Sequence, residues 1–232
     1  MFSLTHTLLP RDPINEVITG CILFIYVIAV VYGTRLLYDR MRRRSTPHNV
    51  AVYYCRKVIH MCAGGVVAIL VPHLFSSPLI PLVSALVLAI LNYIPHRTGK
   101  LMYWFQVPDN MYEVNFCIAW GLFLFILWYV LGSPYPAILP LLFISFGDAV
   151  TGIVRNAVFR RRTKHWIGNI AMATVSIPLG FLYAGSVGVL AAVVATLAER
   201  FELGPIDDNM LIPITSTIVL LIPKILSLGI SP

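Results

Sequence analysis

Long apolar runs separated by short polar breaks dominate this chain. About eight runs can be marked, over roughly 14–37, 58–75, 78–94, 111–131, 134–154, 167–184, 186–201 and 209–228. Runs of this length predict helices that cross a lipid bilayer, where a perpendicular helix needs about 20 apolar residues. The second, third, sixth and seventh runs are short for a crossing. They either borrow flanking residues or are broken or re-entrant. The predicted fold is all-α: a polytopic membrane bundle of about eight segments, with a range of seven to nine.

The breaks are of two kinds. After the second, fourth and sixth runs they are short and nearly uncharged, as at Ser76-Ser77, Gly132-Ser133 and Gly185. After the first, third, fifth and seventh they are longer and charged. The first of these holds Arg35, Arg40, Arg42, Arg43, Arg44, Arg56 and Lys57, and the next holds Arg97 and Lys100. Arg155, Arg160, Arg161, Arg162 and Lys164 follow, and then Arg200. Of the 17 Lys and Arg residues, all but Arg11 and Lys224 therefore fall on one side. The positive-inside rule places that side in the cytoplasm. With eight segments, both termini are then predicted outside.

Composition agrees with this picture. Of 232 residues, 58% are hydrophobic and 12% charged, about half the charged share of a soluble domain. No polar stretch flanks or interrupts the runs, so a single transmembrane domain is expected over 1–232. The net charge of +7 is explained by topology and inner-leaflet contact more simply than by nucleic acid, and no nucleic-acid partner is expected. Cys21, Cys55, Cys62 and Cys117 show neither metal-site nor disulfide spacing and are predicted to be free thiols. The N-terminus lacks the pattern of a cleaved signal peptide, and Asp12 and Glu16 precede the first run, so that run is expected in the mature protein.

Four polar groups can carry chemistry. Arg56, Lys57 and His60 share a helix face by i,i+3 and i,i+4 spacing. They either hold phosphate at the mouth of a span or anchor a helix end in the headgroups. Asp148 follows Gly147 inside a strongly apolar run, with Gly152 and Arg155 beyond it. A carboxylate there is costly unless paired, solvated in a cavity or bound to metal. Magnesium bridging a nucleotide phosphate is one use, and an ion pair with a neighbouring span is another.

The third group is the loop from Arg160 to Asn169, with Arg161, Arg162, Lys164, Trp166 and Gly168. It serves as an inner-leaflet anchor or as a grip on polyphosphate. The fourth is Glu199 with Asp207, Asp208 and Asn209, which open the last run. Capping of a helix N-terminus accounts for one of these residues, and a divalent-cation site or a general base would use more of them. Lesser candidates are His96 and Arg97 at an interfacial loop, Asn92 and Tyr93 as bonds between helices, and Glu113 as partner of a nearby arginine.

The order of these pieces resembles the CTP-dependent polyprenol, phytol and diacylglycerol kinases, a dolichol kinase-like membrane family, and distantly the phosphatidate cytidylyltransferases. The resemblance runs over about 50–216. It rests on Arg-Lys-x-x-His at 56–60, Gly-Asp-Ala at 147–149 with Gly152, Lys-x-Trp-x-Gly at 164–168 with Ala171-Met172, Glu199, and Asp-Asp-Asn at 207–209 followed by Pro213 and Ser216. The loop departs from it in three ways: Ile167 stands where the family carries an acid, Asn169 where it carries a serine, and Arg160-Arg161-Arg162 where glycines are often seen.

The resemblance implies transfer of the terminal phosphoryl group of CTP to the hydroxyl of a membrane lipid alcohol, with Mg2+. It implies Asp148, Asp208, His60 and Lys164 as catalytic residues. Arg56, Lys57, Gly147, Gly152, Lys164, Gly168 and Asn209 would bind the nucleotide, and Asp148, Asp207, Asp208 and Glu199 the metal. A cytidylyltransferase making a CDP-lipid is the alternative enzyme, and a small transporter the alternative outside catalysis.

Overall fold

The computed structural model describes residues 8–159, 163–201 and 207–229. Arg160, Arg161 and Arg162, expected as a charged loop, lie outside the described residues. Among the described residues seven helices are long and apolar enough to cross a membrane. They are α1 (Pro13–Arg43), α2 (His48–Leu74), α3 (Leu79–Thr98), α4 (Tyr112–Leu131), α5 (Pro134–Phe159), α6 (Trp166–Ala198) and α7 (Asp208–Gly229). The predicted range of seven to nine is met, and the chain is a multi-pass helical membrane bundle. Its periphery carries side chains that water would not solvate, such as Ile25, Leu36, Phe181 and Leu182, each more than half exposed.

The sixth helix reconciles seven helices with eight sequence runs. Regular geometry fails at Ala184 (φ −147°, ψ 18°) and Gly185 (φ 57°, ψ −138°), and the chain folds back there. The positive φ of Gly185 is one that an L side chain resists. The two arms, 166–183 and 186–198, then run antiparallel. A Cβ on Gly180 would collide with the Gly188 backbone carbonyl, and one on Gly188 with that of Gly180. Far from the turn, Asn169 Nδ2 donates to the Thr196 carbonyl at 2.6 Å. At 1.5 Å per residue the arms are about 27 and about 20 Å long.

Bulk at the crossing should wedge the arms apart. Overpacking costs about 1–3 kcal/mol, so Gly180→Leu is expected to lower the apparent Tm in detergent by about 5 °C. Gly33→Leu is the control, because an added Cβ there meets nothing within 4 Å. Equal Tm values for the two variants would count against the hairpin.

Two expectations change. The second helix begins at His48 rather than near 58, so Arg56 and Lys57 sit inside it and not in a loop. The charge on Lys57 is tolerated there because α5 supplies a carboxylate. The third helix likewise extends to Thr98, which gives it 20 residues. Both short runs thus borrow flanking residues.

α5 forms the centre of the bundle, touched by α2, α4, α6 and α7. Residues 137–145 are buried without a break. Pro136 and Pro140 withhold amide donors from its first turns. A π-helical turn at Phe143–Gly147 then precedes the regular stretch Asp148–Phe159. A second π turn, His60–Gly65, lies in α2 against the first. Such turns re-aim the residues beside them and recur at functional sites. Here they flank His60 and Asp148. Among the described residues the four cysteines are free, as the spacing predicted.

Candidate active site

The polar ends of α2, α5, α6 and α7 enclose a pocket of about 300 Å³, lined by Tyr53, Lys57, Asp148, Lys164, Glu199 and Asp208 among others. Asp148, 2% exposed, opens the regular part of α5 directly after the π turn. Its Oδ2 accepts from Lys57 Nζ at 2.5 Å. The buried carboxylate is therefore paired across two helices, which meets the condition for burying a charge. Lys57 also lies 5.2 Å from the centre of the Tyr53 ring. A Cβ at Gly152 would strike the Tyr53 hydroxyl and the Lys57 chain, so any larger residue there would displace these two side chains from where they lie along α5. His60 Nδ1 is 3.9 Å from the same Asp148 oxygen, and its ring stacks on Phe116 with centroids 4.0 Å apart.

A second knot lies one helical stretch further along α5. Arg155 donates to both oxygens of Glu199, Nη1 to Oε1 at 2.7 Å and Nη2 to Oε2 at 2.9 Å. Nη2 also reaches Asn169 Oδ1 at 2.9 Å, and Nε reaches the His165 carbonyl at 2.9 Å. The fork geometry of the guanidinium suits this planar set. Lys164 Nζ donates to the Glu199 carbonyl at 2.7 Å and to its Oε1 at 3.1 Å, and lies 3.7 Å from Asp208 Oδ2. Three acids thus face three bases in one cleft.

One ligand oxygen from each of Asp148, Glu199 and Asp208 lies within 4.8 Å of the others. These hard oxygen donors fit a divalent cation that keeps part of its hydration or binds substrate phosphate. Glu199 is the least available of the three, since the Arg155 fork engages both its oxygens. Asp208 is the most open, with its side chain 19% exposed.

The sequence-predicted residues separate into those on the pocket wall and those beside it. Arg56, Lys57, Asp148, Gly152, Lys164, Glu199 and Asp208 line it. His60 stands behind Asp148. Gly147 and Gly168 serve packing: a Cβ on the first would meet Ser176 Oγ and Met172, and on the second the Arg155 guanidinium. Asp207 is outside the acid trio. Its Oδ2 accepts from Asn115 at 3.2 Å and from Asn209 at 3.4 Å. Burial, and then the adjacent charge of Asp208, push its carboxyl up to about 6. Asn209 also donates to the Tyr112 carbonyl at 3.4 Å, which ties α7 to α4.

Glu113 pairs with His96 at 2.5 Å rather than with an arginine. Asn92 bonds between helices as expected, its Nδ2 lying 3.8 Å from Cys117 Sγ. Sequence reasoning missed Tyr53, the structural weight of Arg155, and the use made of Asn169. A signal existed for Arg155, which lies two turns from Asp148 on the same helix face. None existed for Tyr53, because its role follows from contact between α2 and α5.

A larger and mostly apolar cavity of about 430 Å³ lies between α1, α2, α3 and α4. Val67, Val71, Leu88 and Trp120 line its depth, and Arg56 and His60 close its polar end. Arg56 borders both cavities. Comparison of the chain with protein-family models, with curated proteins and with solved structures gave no match.

Proposed function

We propose that the protein is a membrane kinase that transfers the terminal phosphoryl group of CTP to the hydroxyl of a lipid alcohol. The observation that carries this reading is the common wall of the two cavities. A charged cleft suited to a phosphate chain and a divalent cation meets an apolar chamber suited to an alkyl or prenyl tail at Arg56, with Lys57 lining the cleft and His60 the chamber from the same helix. The motif order at 56–60, 147–152, 164–168 and 207–209 adds the choice of CTP by resemblance.

The acceptor's tail occupies the chamber, and its hydroxyl reaches past Arg56 at the common wall to Asp148 and Asp208 in the cleft. Asp208, the more open carboxylate, takes the hydroxyl proton. The lipid oxygen then bonds to the terminal phosphorus as the bridging oxygen departs with CDP. Lys164 and Arg56 offset charge on the phosphoryl oxygens. A magnesium ion held by Asp148 and Asp208 would neutralise phosphate charge there. Lys57 orients Asp148 by donating to its Oδ2. Arg155 acts at one remove, by holding Glu199 and through it Lys164.

The concentration of Lys and Arg at this end supports a cytoplasmic site with both termini outside. This orientation lets CTP arrive from the cytosol.

Purified protein in detergent, supplied with labelled CTP, magnesium and a panel of lipid alcohols, should yield CDP and a phosphorylated lipid. Release of pyrophosphate with formation of a CDP-lipid would transfer the proposal to cytidylyl transfer. Absence of any labelled lipid with CTP, ATP and GTP alike would end the kinase reading.

A further inference from the structure

The polar end of the apolar cavity carries a group that phosphoryl transfer does not use. Glu113 stands in the first turn of α4 with its side chain 9% exposed. Its Oε1 is held by His96 Nε2 at 2.5 Å and by Gln106 Nε2 at 2.9 Å. Gln106 is fixed in turn, donating to the Asn92 carbonyl at 3.0 Å and accepting from the Met102 amide at 2.8 Å. The other carboxylate oxygen, Oε2, is buried with no hydrogen-bond partner, and Glu113 lines the cavity. A buried acceptor in that condition bears a desolvation cost that a donor would relieve.

Arg56 is in the complementary condition. Its Nε is a buried donor without an acceptor, on the wall of the same cavity. Its guanidinium rests 4.0 Å from the centre of the Tyr112 ring, beside Glu113 in the chain. An acceptor and a donor therefore go unmet among the residues that line a mostly apolar chamber. A hydroxyl donates to the first and accepts from the second. An ammonium would suit Glu113 but be repelled by Arg56. The reacting hydroxyl is placed instead at Asp148 and Asp208, which line the polar cleft and not this cavity.

We infer that the preferred lipid carries a second hydroxyl on its head, held by Glu113 and Arg56, so that a diol lipid binds in preference to a simple long-chain alcohol. The inference rests on the apolar cavity taking a lipid alcohol. His96 and Gln106 act as positioning residues that aim Glu113.

The test is binding without nucleotide, so a failure of CTP chemistry leaves it intact. Displacement of a fluorescent fatty alcohol from the full chain in detergent would be measured with hexadecanol, with a hexadecane diol bearing hydroxyls on adjacent terminal carbons, and with the glycerol monoether of hexadecanol. At least one diol should bind about tenfold more tightly than hexadecanol, since each such factor corresponds to about 1.4 kcal/mol, the range of a hydrogen-bonded hydroxyl. In Glu113→Gln, which keeps an acceptor for His96 but turns a donor toward the cavity, the ratio should fall to near one. Equal binding of the three lipids to the unaltered protein would overturn the inference, as would a ratio that Glu113→Gln leaves unchanged. Should that variant fail to fold, the ratio in the unaltered protein decides alone.

Discussion

Asp148→Asn is expected to lower CTP-dependent lipid phosphorylation by about a thousandfold, the scale on which loss of one preorganised charge in a dry site is felt. Asp148 offers a carboxylate to the cleft, belongs to the trio that fits a divalent cation, and lies against Lys57. Asn keeps an oxygen for the Lys57 hydrogen bond, but it removes the charge that justified burying Lys57 at 5% exposure. Some stability is lost, yet Lys57 borders the polar pocket and rests beside the Tyr53 ring, so the bundle should stay folded. Turnover per folded molecule, and the stabilisation of the protein by manganese with CTP in a thermal melt, are the two readouts. The variant should lose both. Turnover within threefold of the unaltered protein would remove Asp148 from the reaction.

Arg155→Met should be the most damaging single substitution for the fold. Glu199 is 1% exposed, and the Arg155 fork is the main compensation for its charge. Breaking a buried pair from one side costs about 3–5 kcal/mol, a large part of the stability of any domain. Asn169 would lose its guanidinium partner as well, and the contact between the start of the first α6 arm and the end of the second would loosen. Yield of monodisperse protein and apparent Tm should both fall sharply. The double variant Arg155→Met with Glu199→Gln removes both charges and should recover most of the stability, because neutral replacement of a buried pair is far milder than its rupture. It should not recover turnover, since Lys164 loses the Glu199 carboxylate that steadies it. Full stability in Arg155→Met alone would show that the fork is dispensable.

The Arg155 knot gives Asn169 a meaning that the motif comparison could not. Set beside the family pattern, Asn169 stands where a serine is common and Ile167 where an acid is. In the fold, Asn169 accepts from Arg155 and donates to the Thr196 carbonyl, with both α6 arms and α5 meeting on one amide. An amide supplies an acceptor and a donor on one planar group, which a hydroxyl does at shorter reach. The acid that Ile167 lacks is therefore not needed to hold this part of the site together. Glu199, from the far arm, provides the carboxylate.

How far the site was legible depended on whether a residue announces itself by cost. Asp148, Glu199 and Lys57 stand in or beside apolar stretches, where an ionised group demands an explanation. Glycines at 147, 152 and 168 were visible only as glycines. Nothing local distinguishes Gly152, which makes room for Lys57 and Tyr53, from Gly147 and Gly168, which make room for α6 and Arg155. Asp207 and Asp208 are neighbours of the same chemistry, yet only Asp208 joins the acid trio, while Asp207 turns to Asn115.

The membrane character, the helical class, the approximate number of segments and the gathering of charge at one end were determined by the sequence alone. They follow from solvation: apolar runs of this length have no favourable place in water, and charged loops have none in hydrocarbon. Which charges meet was decided by the tertiary structure. The two π turns, the fold-back at Gly185 and the pairing of α2 with α5 bring residues up to 91 positions apart within 2.5 Å. The separation of a polar cleft from an apolar chamber, with Arg56 on both walls, is likewise a product of helix packing. It depends on the relative placement of side chains from several helices, and no periodicity along one chain encodes that placement.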